Sequence, residues 1–246
     1  MPALMVDRER RFGWARGFAI GALLIASAGV FRPAHAEAQA GLPPLSSTEI
    51  VARLVARNLE RMERLRHYTG KRHYHLLYRG FPSAREAAMD VDVAFDAPAR
   101  KTFTVTAESG SKMLAERVFR RLMESEKEAA LDPARSALTP ENYGFELDGA
   151  EGGNYVLRVT PRGDNKYLYR GKIWVDAEDF AVSRIEAEPA RNPSFWIKKT
   201  EIHHRYGKVG EFWLPMQNHT ETRTRLGGVA DLTIDYLDYR VEPVER

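Results

Sequence analysis

The sequence predicts a mainly β, α+β protein: a single large curved antiparallel sheet with helices packed on one side. Three observations lead there. About ten stretches alternate apolar and polar side chains with a period of two, two longer stretches carry apolar stripes at helical spacing, and the two kinds do not alternate regularly. A doubly wound parallel sheet needs that regular alternation and is disfavoured. With 246 residues, 43% of them hydrophobic, the chain can bury the core such a sheet requires.

Taken in order, residues 1–36 read as a cleaved export signal. Arg8, Arg10, Arg11 and Arg16 precede an apolar run from Gly17 to Val30, and Ala34-His35-Ala36 supplies the small residues a signal peptidase requires. The run is shorter than the about 20 residues of a membrane-spanning helix, which favours cleavage over an anchor and points to the periplasm. This segment also holds the formal charge of +3, because the residues after it contain 32 basic and 32 acidic side chains. Without a basic excess, bulk attraction to nucleic acid loses its support. The chain has no cysteine, so lipid attachment at a cysteine, disulfides, thiol catalysis and cysteine-bound zinc or haem are excluded.

Residues 37–46, with Gly41, Pro43 and Pro44, read as a linker, and residues 47–246 as the folded domain. Ser46 and Glu49 have capping-box spacing, and Ile50, Val51, Leu54, Val55, Leu59, Met62 and Leu65 form a helical stripe that needs a partner surface. From Thr69 the period becomes two, with Tyr74, Leu76 and Tyr78 on one face and Lys71, His73 and His75 on the other. The same alternation marks Met89, Val91, Val93 and Phe95, then Phe103 and Val105. Residues 111–131 return to helical spacing: Leu114, Val118 and Leu122 step by four, and Met113, Phe119 and Met123 widen the arc. Pro133 and Pro140 close that segment. Seven more strands are expected near 143–147, 155–160, 167–175, 181–188, 196–206, 212–225 and 229–241, separated by turns rich in Gly, Asn and Asp.

Chemistry-bearing patterns are sparse. His73 and His75 could present two imidazoles to a metal, but they share the face opposite Tyr74, Leu76 and Tyr78 and have no evident third ligand. Glu201 and His203 share a strand face while His204 points the other way; with Lys198, Lys199 and Arg205 nearby, the stretch reads as solvated surface. No nucleophile elbow, phosphate-binding loop, dinucleotide fingerprint or zinc-protease helix occurs, so no catalytic group and no cofactor is assigned. Trp174, Phe195, Trp196, Phe212 and Trp213 lie near strand ends, and the methionines of residues 111–131 suit an adaptable apolar cavity under a helical lid.

The stretches Gly171–Glu186, Asn192–Glu201 and Gly210–Pro215, with "WVD", "VSRI" and "FWLP" in that order, resemble the outer-membrane lipoprotein-sorting protein family, LolA-like. That resemblance implies an open half-barrel whose concave side, capped by helices, accommodates acyl chains. It also implies an exported carrier that shields lipoprotein lipid across the periplasm, without being an enzyme. The alternation pattern then offers twelve lining residues: Tyr74, Leu76, Tyr78, Val91, Val93, Phe95, Phe103 and Val105 from strands, with Leu114, Val118, Phe119 and Leu122 from the lid helix. The same residues would equally build a filled core, since alternation identifies a buried face and not a hollow one. Two other readings stay open: an envelope sensory or scaffolding module that binds a membrane-protein partner, and a metal-dependent hydrolase using His73 and His75.

Overall fold

Ser46 starts the first helix, α1 (Ser47–Arg64), through a reciprocal capping box: its hydroxyl accepts from the Glu49 amide at 3.3 Å, and its amide donates to Glu49 Oε2 at 2.9 Å. In the computed structural model, which describes residues 42–192 and 195–244, the predicted export signal and the linker before Leu42 lie outside the described residues. Helix α1 passes without a loop into β1 (Leu65–Arg79), so this strand starts at Leu65 and not at Thr69. Register shifts at Leu65/His67 and Thr69/Lys71 in its pairing disturb the alternation there and hide the true start.

Strands β2 (Arg85–Asp96) and β3 (Arg100–Gly110) follow, then a helical segment in three pieces: α2 (Lys112–Leu114), a π-helical stretch (Ala115–Arg120) and α3 (Arg121–Leu131). The rest is β4 (Tyr143–Glu151), β5 (Asn154–Pro161), β6 (Tyr169–Asp176), β7 (Val182–Pro189), β8 (Ile197–Val209), β9 (Phe212–Thr224) and β10 (Val229–Pro243). These strands form one ten-stranded sheet in the order β3-β2-β1-β10-β9-β8-β7-β6-β5-β4, with antiparallel pairing throughout. Edges β3 and β4 do not pair with each other, which leaves an open, curved half-barrel. No helix among the described residues is long and apolar enough to cross a membrane.

Register places both helical segments on one face. Reading across the sheet, Met89, Tyr74, Ile234, Asn218, His204, Ile185, Ile173 and Leu157 stand opposite one another in succession. Met89, Tyr74 and Ile234 belong to a core cluster with Leu114, Phe119 and Met123 of the second helical segment. Ile185, Ile173 and Leu157 belong to a cluster with Ile50, Val51 and Leu54 of α1. Each helical stripe therefore covers one end of the same face, and polar Asn218 and His204 occupy the row between the two apolar clusters.

Candidate functional site

That central strip stays open. The buried part of α1 is its N-terminal half, while Leu59 and Met62 near its C-terminus are each 55% exposed. Beneath them the inner side chains of β8, Ile202, His204 and Tyr206, are only partly buried. The result is a groove of about 680 Å³, within the range of small-molecule sites. Its roof is Val55, Leu59, Met62 and Leu65, and its floor includes Tyr169, Val182, Ile185, Ile202, Phe212 and Leu214. Residues 133, 136–139 and 167 close one flank. The lining contains no Asp or Glu, and Arg61 and His204 are its only basic residues.

The rim at Arg61 is pinned. Its guanidinium donates to the Asp179 carbonyl oxygen and, at 3.2 Å, to Asn58 Oδ1. The Asp179 carboxylate accepts from Trp213 Nε1 at 2.8 Å and pairs with Lys208 at 2.7 Å, and these contacts hold it below the usual carboxylate range. These bonds join α1, the β6–β7 turn and the β8–β9 hairpin around one residue, Asp179.

Deeper in, polarity is confined to a few groups. Thr220 Oγ1 donates to Asn218 Oδ1 at 2.9 Å, so the Asn218 amide nitrogen is left to donate to His204 Nε2. That assignment puts the imidazole proton on Nδ1, which has no hydrogen-bond partner. Burial lowers the His204 pKa to about 4, so the ring is neutral at pH 7. Burial also pushes the Tyr206 phenol up to about 12 and the Tyr169 phenol well above its ordinary value.

A pH dependence follows. The unfolded chain protonates this histidine near pH 6.5 and the folded chain only near 4, so falling pH favours unfolding within that window. Stability is expected to decline by roughly 3 kcal/mol as pH drops from about 6.5 to about 4. Urea titrations of the parent chain and His204→Gln at pH 7 and pH 4.5 check this: the variant should lack the decline, and identical slopes would refute the buried neutral ring.

None of the twelve residues read from alternation lines the groove. Tyr74, Leu76, Val91, Val93, Leu114 and Phe119 are buried in the first cluster, with the Tyr74 and Phe119 rings 5.4 Å apart. Tyr78, Phe95, Phe103, Val105 and Val118 pack against it, and Leu122 is 38% exposed. The second helical segment lies directly on these strands and fills the space between. His73 and His75 project from the outer face, His73 Nδ1 at 2.6 Å from Asp90 and His75 Nε2 at 2.7 Å from Glu86. No group of three or more potential metal ligands comes together among the described residues.

No family model matches the chain, and no curated protein matches it. Solved structures do. A DUF1329 family protein from Desulfovibrio piger is 13% identical over 81% of this chain and 94% of its own, with a TM-score of 0.42. A LolA superfamily protein from Nitrosomonas europaea is 11% identical over 82% and 96%, with a TM-score of 0.34. A provisionally named outer membrane lipoprotein-sorting protein domain from Vibrio parahaemolyticus is 14% identical over 80% and 92%, with a TM-score of 0.38.

Proposed function

We propose that this chain is an exported, periplasmic carrier that shields acyl chains of lipid or lipoprotein in the groove beneath α1. The observation that carries the reading is the groove itself: an apolar hollow of about 680 Å³ with no carboxylate in its lining. Residues 1–36 supply the argument for export. A chain of about 16 methylenes leaving water gains at most roughly 13 kcal/mol, and ordering both partners reduces that. Reversible holding therefore needs no covalent chemistry, and the reading assigns no catalytic residue.

Purified mature protein, residues 37–246, is expected to retain phospholipid or acylated peptide in native mass spectrometry. After extraction it should take up a fluorescent fatty acid at one per chain. Repeated recovery without lipid, together with no fatty-acid uptake, would count against the carrier. A stoichiometric protein partner that survives lipid extraction would favour a sensory or scaffolding module instead.

A further inference from the structure

Three neighbouring connections at one end of the sheet carry large apolar side chains in the open. Phe81 of the β1–β2 turn is 81% exposed, Leu226 of the β9–β10 turn 72%, and Phe195 and Trp196 of the β7–β8 connection 75% and 59%. Pairing sets these connections side by side, because Arg79 faces Val229 and Ile197 faces Thr224. The rim is also held in shape. Tyr78 donates to the Phe81 carbonyl oxygen at 3.0 Å, and its hydroxyl fills the space where a Cβ on Gly80 or Gly228 would fall, at 2.6 Å. Arg225 donates from Nε to the Phe195 carbonyl oxygen at 2.8 Å, and its guanidinium lies 4.9 Å over the Phe195 ring.

Charge is segregated in the same sense. Residues 79–85, 189–198 and 223–228 contain Arg79, Arg85, Arg191, Lys198, Arg223 and Arg225, with no Asp or Glu. Arg79, Arg191 and Arg223 have carboxylate partners at 3.7, 3.6 and 2.7 Å, supplied from outside these stretches. At the opposite end of the strands the turns and their flanks carry Glu151, Asp176, Glu178, Asp179 and Glu211, with Lys208 and Arg184 paired to Asp179 and Glu151.

We propose that this aromatic, basic rim docks the protein on a membrane surface rich in anionic phospholipid. Aromatic and aliphatic tips suit the boundary between headgroups and acyl chains, while the neighbouring cations meet lipid phosphates. The tips stand on separate turns, and a fluid bilayer accepts such projections without the matched shape that a folded partner must supply. The docking does not depend on what the groove holds.

Co-sedimentation of mature protein with vesicles tests it. Binding to vesicles containing phosphatidylglycerol is expected to exceed binding to pure phosphatidylcholine by about tenfold or more at low salt, and to weaken as salt rises. The triple variant Phe81→Ser, Phe195→Ser, Leu226→Ser should bind vesicles at least about tenfold more weakly with unchanged circular dichroism and fatty-acid uptake. Arg85→Gln with Lys198→Gln should reduce the preference for phosphatidylglycerol. No vesicle binding at low salt, equal binding to both lipids, or triple-variant binding at the parent level would overturn the proposal. So would stoichiometric capture of an acidic protein without vesicle binding. Loss of fatty-acid uptake alone would strike the groove reading and leave the docking rim standing.

Discussion

A Glu126→Gln variant is expected to lose about 3 kcal/mol of folding stability, because it leaves a buried guanidinium without its counter-charge. Arg72, on the inner face of β1, is 4% exposed, and its Nη1 and Nη2 donate to Glu126 Oε2 and Oε1 at 2.6 and 2.8 Å. Lys101 of β3 donates to the same carboxylate, and the Arg72 guanidinium lies 4.7 Å over Tyr236 and 5.2 Å over Phe103. One carboxylate on α3 thus fastens the second helical segment to β1 and β3.

Burial by itself would raise the Glu126 pKa, but hydrogen bonds and charge from Arg72 and Lys101 win and hold it at about 2. Its contribution is fully present above the ordinary value of 4.5 and is lost as pH falls toward 2. The carboxylate is one-third exposed, so solvent screens part of that gain. Urea denaturation at pH 7 and pH 3 checks both statements. The parent chain should lose more stability on acidification than the variant, which keeps only the loss due to His204; equal midpoints for the two at pH 7 would refute the fastening.

The second large effect belongs to the groove. Ile202→Trp is expected to weaken fatty-acid binding about 100-fold, since filling the space of about four methylenes forfeits roughly 3 kcal/mol of burial. Ile202 is partly buried and faces open volume, so the larger side chain can enter without displacing packed neighbours. Val91→Ala supplies the contrast. Val91 is 1% exposed within the filled cluster, so its truncation should cost about 2 kcal/mol of stability and leave fatty-acid affinity unchanged. The reverse pattern would move the ligand to the first cluster and refute the assignment to the groove.

Much of the fold is legible in the residues. Period-two alternation finds the strands because each has one buried face, as in β2, where Ala87, Met89, Val91 and Val93 are buried. The Ser46/Glu49 spacing finds the helix start because its hydrogen bonds are local. The hollow is not legible, since it depends on where the two helices lie over distant strands. Leu59 and Met62 stand in the same stripe as Ile50 and Leu54, yet only the latter meet the sheet closely. The alternation of Ile202, His204 and Tyr206 is the available signal on β8. The intervening His203 and Arg205, with nearby lysines, mask it because they dominate the local composition.

The π-helical stretch sets the aim of everything beyond it. Such a turn takes in one residue more than an α-turn, which displaces the phase of the following helix by about 100°. Met123 and Glu126 reach the sheet in that displaced phase. Between Ala115 and Arg120 the number of residues therefore matters as well as their identity. Replacements at the exposed positions Glu116 and Arg117 leave the aim intact, whereas deletion of a single residue would swing Glu126 round to water and strand Arg72 inside.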